Sequence, residues 1–584
     1  MRDQRLPWCP SLGASPQPDG STHFRVWAPH AERVSLRVRG ATVDLEHERL
    51  GVFACSVRVD AGADYEYVLE GEEHGTLLGP LPDPCSREQP AGLRGPSRVL
   101  DPAAFSWTDA EWRTPALTDL VLYELHVGTF TPEGTFDAVA RHLPALAQLG
   151  VNAIELMPVA DFPGERGWGY DGVYISATHR AYGGPQGLAR LVDAAHAAGV
   201  AVLLDVVYNH VGASGAPALA AFGPYFTARY ETIWGRAINY DDRGCDAVRE
   251  WVTQSACGWV RDFHVDGLRL DAVHAIFDSS PQHIVAALAE RVHQTNPHAV
   301  VIAESALNDP KVIRGSDRGG WGCDAQWADD FHHALRVLLT GDRDGYYQEF
   351  GRVGDLAKAL GRPFVHDGQY STSRGRRFGA SATDRPRSQF VVFDQNHDQV
   401  GNRALGDRLP ADARPLAAFC TLLAPFVPML FMGEEYGENA PFLYFCDHVD
   451  EELAVATREG RRREFAAFTA FAGDIPDPQS PHTFAASKLT RRGDERLAEL
   501  YRALLRARLS LNGEARVCFD EHDRWLRARR RGGELLCNFS DERQSFELGP
   551  DTAGELVLCT HAHTICEDGP TRLLLPPLAG ALVR

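Results

Sequence analysis

Four short runs of β-branched and leucine-rich residues in this chain each end in a charged or histidine group. They are Leu203-Leu204-Asp205-Val206-Val207-Tyr208-Asn209-His210, Val265-Asp266-Gly267-Leu268-Arg269-Leu270-Asp271, Val300-Val301-Ile302-Ala303-Glu304 and Phe390-Val391-Val392-Phe393-Asp394-Gln395-Asn396-His397-Asp398. Runs this short and this apolar read as strands buried on both faces. Arg269 and Asp271 lie two residues apart, so on an extended strand they share a face. A charged pair on an apolar strand is costly to bury unless it is paired or used. A structural ion pair would explain one such strand end, but four of them ask for a common cause.

Further strands fill the spaces between these runs. Val121–Val127, Val151–Met157, Asp324–Trp327 and Met429–Met432 bring the series to eight, with helical spacing between successive members. Phe136, Val139, Ala140, Leu143, Leu146 and Leu149 predict one helix closed by Gly150, and Leu188 to Ala198 predict another closed by Gly199. Eight alternating units are what a (β/α)8 barrel requires. An open doubly wound sheet is the other architecture, but no Gly-rich phosphate loop follows the early strands. In a barrel the functional residues gather at the C-terminal ends of the strands, where His210, Asp271, Glu304 and Asp398 fall.

At 584 residues the chain exceeds a single core. Residues 1–105 read as a β-sandwich: Phe24 to Pro29 alternates, as do Val34, Leu36 and Val38, and Asp64 to Leu69 is a third strand. Exposed aromatics there would bind sugar; core aromatics would not. The Pro-rich stretch Leu81 to Pro96 reads as a linker or an extended packing arm. Residues 106–484 hold the barrel. Residues 485–584 open on a helix, Leu497 to Leu509, and continue as a second, C-terminal β-sandwich.

A formal charge of −20 argues against nucleic acid and anionic membrane as partners. No apolar leader follows Met1, and the longest apolar run, Leu416 to Gly433, is interrupted by Pro425 and Pro428, so it reads as helix, turn and strand. The 12 Cys form no CxxC pair and no Cys/His metal spacing, which points to a reducing cytoplasm.

Three acids and two His on one rim suit glycoside hydrolysis. One carboxylate attacks or stabilises the oxocarbenium-like centre while another protonates the leaving oxygen. Arg269 favours the ionised form of Asp271, as a nucleophile needs. The apolar run before Glu304 predicts a desolvated carboxyl with a raised pKa, as a general acid needs. Asp398 is then free to grip sugar hydroxyls. A Ca²⁺ or Mg²⁺ site built from the same Asp, His and Asn is the competing reading, and no EF-hand loop or His pair supports it. No metal and no cofactor is expected.

The four strand ends resemble the four sequence regions of the α-amylase superfamily. The resemblance implies Asp271 as nucleophile with Arg269 two before it, Glu304 as acid/base, Asp398 as transition-state stabiliser, and His210 and His397 as contacts to the glucose at the cleaved bond. His274 ends the second of these regions. Within the superfamily the chain most resembles the maltooligosyltrehalose trehalohydrolase family, nearly end to end. The motifs are Phe24 to Pro29, Gly167-Trp168-Gly169-Tyr170-Asp171-Gly172-Val173-Tyr174, Asp329-Asp330-Phe331-His332-His333-Ala334-Leu335, Asn396 to Arg403 and Phe431 to Gly437. Those enzymes cut the α-1,4 bond next to a terminal trehalose, so maltooligosyltrehalose and related α-glucans are the implied partners, supplied by a maltooligosyltrehalose synthase. Branching enzymes, which pass the glucan to another sugar, are the nearest alternative; they usually carry Ser-His-Asp-Glu where this chain has Asn396-His397-Asp398-Gln399. A non-catalytic glucan-binding protein would not need Asp271, Glu304 and Asp398 together. The stretch Asp329, Asp330, Phe331, His332, His333 is expected as a loop lining the cleft, with a capped helix N-terminus as the other reading. Tyr170, Gln399, Gly401 and Asn402 are expected beside it. Trp168, Tyr170, Asp171, Glu434, Glu435 and Tyr436 are candidates for the trehalose pocket.

Overall fold

A computed structural model of the protein describes residues 11–71, 77–466, 475–548, 555–562, 564–567 and 572–584. The stretch after Met1, where no apolar leader is expected, lies outside the described residues.

The N-terminal module is a sandwich of two antiparallel sheets. One has the order Gly13–Pro16, Thr22–Trp27, Val52–Val57, Glu46–His47; the other is built on Ala31–Val38 and Asp64–Gly71. Alternation along each strand sends Phe24, Val26, Leu36, Tyr67 and Leu69 into the shared core. Phe24, Trp27, Phe53, Tyr65 and Tyr67 are all buried, so these aromatics are core and offer no sugar platform. The Pro-rich stretch is a packing arm. Asp83 is fully buried and accepts from the Tyr65 hydroxyl at 2.8 Å, while Pro84 O accepts from Trp251 Nε1 at 2.9 Å on a barrel helix.

Eight parallel strands close the barrel: β1 Leu122–Leu125, β2 Ala153–Leu156, β3 Ala201–Val206, β4 Gly267–Leu270, β5 Val300–Ala303, β6 Ala325–Trp327, β7 Phe390–Val392 and β8 Val427–Phe431. The interior is layered. Small Ala153, Ala201 and Ala325 make room for Trp327 and Phe393 in an apolar layer. Above it the register sets Asp205 beside Arg269 and Arg269 beside Ile302, so the polar residues of β3 and β4 meet at one level. Gly267 is required by close packing, since a Cβ there would sit 2.4 Å from Val300 O on β5.

The single helix expected before Gly150 is two, Phe136–Ala140 and Leu143–Leu149. Pro144 starts the second, and Gly150 ends it in the left-handed region at φ 113°. The apolar run after Leu416 divides as expected into the helix Arg414–Leu422 and strand β8. Among the described residues no helix is long and apolar enough to cross a membrane.

The C-terminal sheets, five strands on Asn512–Asp520 through Ala579–Val583 and three on Arg572–Leu575, enclose Leu536, Phe546, Leu573, Leu575 and Ala581. The helix Glu495–Arg508 packs on the barrel helices Leu143–Leu149 and Arg414–Leu422 and also meets the strand Leu556–Cys559 of the C-terminal sheet. Its buried stripe of Leu497, Tyr501, Leu504 and Leu505 is matched to that outer ring.

Candidate active site

Arg269 organises the rim. It is wholly buried on β4, and its Nη1 donates to Asp205 Oδ1 and Oδ2 at 2.7 and 2.8 Å and to Asp271 Oδ1 at 2.9 Å. Its Nη2 donates to Glu304 Oε2 at 2.8 Å. One planar fork therefore holds the carboxylates that end β4 and β5 through adjacent nitrogens, a geometry lysine cannot supply. The guanidinium carbon lies 4.3 Å from the Trp327 ring below.

Backbone pairing fixes the strand ends. Asp271 N–H donates to Val206 O at 3.1 Å, and Glu304 N–H to Leu270 O at 3.0 Å. Ala272 then takes φ 40°, a strained left-handed turn for a residue with a Cβ, and this points its N–H at Glu304 Oε2, 2.8 Å away. The apolar surroundings expected for Glu304 are thus replaced by two donors on one oxygen. The second oxygen of Asp271 accepts from Asn209 Nδ2 at 2.8 Å, so both of its oxygens are oriented.

Across the rim, Asn396 caps the short helix His397–Gly401 through Gln399 N–H at 2.7 Å. Asp398, with about a third of its side chain exposed, accepts from Asn402 Nδ2 at 3.0 Å and faces His397 Nε2 at 3.6 Å. His397 Nδ1 lies 2.5 Å from Glu124 Oε1, and its own main-chain N–H donates to Glu124 Oε2 at 2.8 Å. Burial opposes charge on this ring, but the Glu124 and Asp398 carboxylates outweigh it and its pKa is pushed up to about 9. Tyr170 O–H donates to Asp205 Oδ2 at 2.6 Å, contacts His397 Nε2 at 2.7 Å, and stacks on the His397 ring. His210 is anchored by Asn209 Oδ1 and Tyr170 O and lies under the exposed Trp234 ring, centroids 4.8 Å apart. Burial lowers the His210 pKa. His274 Nδ1 accepts from Ala306 N–H at 3.3 Å beside the Glu304 loop.

The stretch after β6 is the start of the helix Asp329–Thr340, so the loop reading is corrected. Neither Asp caps it, because no side-chain bond closes at Ala328. Asp329 is half-buried at the rim; burial, then the carboxylates of Glu304, Asp398 and Asp330, raise its pKa to about 8. Asp330 turns outward to the segment Val365-His366. Phe331 is wholly buried against Phe426, in the core and not in the cleft. His332 is wholly buried between Asp394 O and the Tyr347 hydroxyl. His333 packs on Tyr346, which is exposed and donates to Gln399 Oε1 at 3.1 Å. Gly401 is small because Trp168 occupies its space, 2.2 Å from where a Cβ would be.

Trp168 is stacked on Phe442 and buried, Glu434 is buried beside Tyr501, and Glu435 accepts both bonds from Tyr123 O–H. Trp168 and Glu434 thus belong to the wall behind the rim, while Tyr170, Asp171, Glu435 and Tyr436 are half-buried. Trp234, stacked on His210, and Tyr346, bonded to Gln399, are exposed aromatics at this rim. The pair Ile233-Trp234 in a polar hairpin was the available sequence signal for one of them; Glu124 carried no signal beyond being an acid on an apolar strand.

Residues 100–218 match the model of the α-amylase catalytic domain, and residues 11–86 match that of carbohydrate-binding module 48, the isoamylase N-terminal domain. The malto-oligosyltrehalose trehalohydrolase of Saccharolobus solfataricus is 44% identical over 93% of this chain and 94% of its own. That of Rhizobium sp. is 44% identical over 97% and 98%. The crystal structure of a putative α-amylase from Salmonella typhimurium superposes with a TM-score of 0.88 at 36% identity, covering 99% of this chain and 100% of that one. With the rim of Asp271, Glu304 and Asp398 intact on a closed barrel, the chain belongs to the malto-oligosyltrehalose trehalohydrolase family and carries an α-amylase catalytic domain.

Proposed function

We propose that the protein is a retaining glycoside hydrolase that cuts the α-1,4 bond next to the terminal trehalose of maltooligosyltrehalose, releasing trehalose and a shortened maltooligosaccharide. The observation that carries this reading is the Arg269 fork, which holds Asp271 and Glu304 side by side on one rim with Asp398 opposite. Support for the substrate comes from the relatives named malto-oligosyltrehalose trehalohydrolase, which this chain matches over 94% and 98% of their length.

Asp271 attacks the anomeric carbon while Glu304 gives its proton to the glycosidic oxygen, so that bond breaks and trehalose leaves. Water, deprotonated by Glu304, then attacks the glycosyl ester, and its hydroxyl ends on the anomeric carbon with the original configuration. Arg269 and Asn209 keep both oxygens of the Asp271 carboxylate aimed before attack. As Glu304 loses its proton, the Arg269 and Ala272 N–H groups stabilise the carboxylate that forms. Asp398 and His397 bind ring hydroxyls, and His210 backs the same subsite. Recognition of the α,α-1,1 linkage needs a pocket that a straight glucan end leaves partly unpaired, each unpaired buried polar group costing about 1–3 kcal/mol. Trp234 and Tyr346, exposed at the rim, join the half-buried Tyr170, Asp171, Glu435 and Tyr436 as candidates for that pocket. We place the enzyme in a reducing cytoplasm, after a maltooligosyltrehalose synthase; the ten free cysteines among the described residues support that compartment.

Incubation with maltooligosyltrehalose, and separately with a maltooligosaccharide of equal length, tests the reading. Trehalose release with a kcat/KM ratio far above one is expected. A ratio near one would leave a general α-glucan hydrolase, and branched glucan as product would make the protein a transferase.

A further inference from the structure

The rim places the carboxyls of Glu124, Glu155, Asp205, Asp271, Glu304 and Asp398 around one permanent cation. Arg269 spends its bonds on Asp205, Asp271 and Glu304. Glu124, at the other side of the barrel on β1, gives both oxygens to a single residue, His397, one to the ring and one to the main chain. Both partners are 1% exposed, so water does not share these bonds.

We propose that Glu124 is a positioning residue for the hydrolysis, which locks His397 as an imidazolium with its Nε2–H aimed at the cleavage subsite. The proposal deepens the function above, since it rests on His397 meeting the sugar there. Hydrogen-bond direction supports it. A carboxylate only accepts, so the proton in the Glu124 contact sits on Nδ1. Tyr170 O–H donates to the Asp205 carboxylate, so the phenol oxygen can only accept from Nε2. Both ring nitrogens then carry protons. Substrate hydroxyls compete with the Tyr170 oxygen for the Nε2–H, while the Nδ1 bond and the main-chain bond stop the ring from turning.

Glu124 on β1, Asp205 on β3 and Asp398 beside it favour the cation; Arg269 on β4 opposes it. His126, after β1, opposes it only if charged, and burial lowers its pKa to about 4. Glu155 is buried without a hydrogen-bond partner among the described residues, so burial holds it protonated and it cannot replace Glu124.

The test compares wild type with Glu124→Gln, which keeps the shape and removes the charge. The ratio of their kcat/KM values is measured from pH 5 to pH 8. Ionisations common to both enzymes cancel in this ratio. With the anchor gone, His397 returns toward the ordinary histidine value of about 6.5 and empties across this window, so the ratio should rise roughly 30-fold. Glu124→Asp should restore a flat ratio. In a His397→Asn background, Glu124→Gln should change kcat/KM by less than about threefold, because the two act as one unit. A ratio that stays flat in Glu124→Gln, or effects that add in the double variant, would overturn the proposal. Thermal denaturation checks folding, and Glu124→Met is the second neutral variant if Gln does not fold. If wild type releases no trehalose, the proposed function fails by itself, and the same ratio is read on maltooligosaccharide shortening.

Discussion

Replacing Asp330 should damage stability far more than turnover. The side chain is 3% exposed, and its Oδ2 accepts from Val365 N–H and His366 N–H at 2.8 Å each and from Asn308 Nδ2 at 2.9 Å. Asn308 sits at φ 51°, a strained turn that also bonds His366 O. Asp330 therefore ties the first turn of its helix to the outer segment 365–366 and to the loop after β5. Burial by itself would raise its pKa, but bonds from His333, His366 and the main chain hold the carboxyl well below the usual range. Asp330→Ala leaves these donors buried without an acceptor. Breaking a buried charged cluster costs about 3–5 kcal/mol. At roughly 2–4 °C per kcal/mol for domains of this order, Tm should fall by about 6–20 °C. Asp330→Asn keeps an acceptor oxygen and should lose less than half of that. Because the folded pKa is depressed, the stability from Asp330 is fully present above the ordinary carboxyl value near 4 and is lost as pH falls toward the folded value. The gap in Tm between wild type and Asp330→Asn should therefore narrow below about pH 4. Calorimetry with kcat per folded molecule is the assay, and kcat should stay within about threefold. A Tm left unchanged with kcat down tenfold or more would refute this reasoning and return Asp330 to the cleft.

Hydrolysis should deliver α-anomeric sugar first, as seen by NMR of fresh product; β-anomer would exclude Asp271 and Glu304 as a retaining pair. Arg269→Lys should lower kcat by at least about 10²-fold, since a single ammonium cannot hold Asp205, Asp271 and Glu304 together; a loss under threefold counts against the fork. At the barrel floor, His196 is clamped between Asp109 Oδ2 at 2.8 Å and Asp266 Oδ2 at 2.9 Å. Burial opposes its charge, yet the two carboxylates raise its pKa, so the stability it adds is complete below about 6.5 and fades as pH rises through the folded value. Asp109→Asn should thus cost more Tm at pH 6 than at pH 9, and an equal cost at both would show His196 to be neutral throughout.

Local pattern was enough for much of this molecule. Apolar strands ending in acids, repeated with helices between, specify a barrel because strand period and helix period are written into side-chain order. The rim positions of Asp271 and Glu304 were legible for the same reason, since each directly follows a strand and strand ends define the rim; Asp398 lies six residues beyond β7, on the short helix His397–Gly401. Arg269 was legible as a partner of Asp271, two residues away on one face. What sequence order does not hold is which distant residue fills the space opposite. The fork from Arg269 to Glu304 crosses 35 positions, and the Glu124 clamp on His397 crosses 273. Asp330 and Phe331 are consecutive in a motif-like stretch, but helix geometry separates them, sending one to a loop and the other into the core. Trp168 and Glu434 belong to equally distinctive motifs and serve the wall. The helix Glu495–Arg508 is amphipathic by sequence, and only packing decided that it bridges the barrel helices and the strand Leu556–Cys559 of the sheet that follows it. Periodicity determines which face of an element is buried; the partner of that face, and the charge a buried group carries there, are set by closure of the barrel, which brings β1 beside β8 and packs both against the residues after β7.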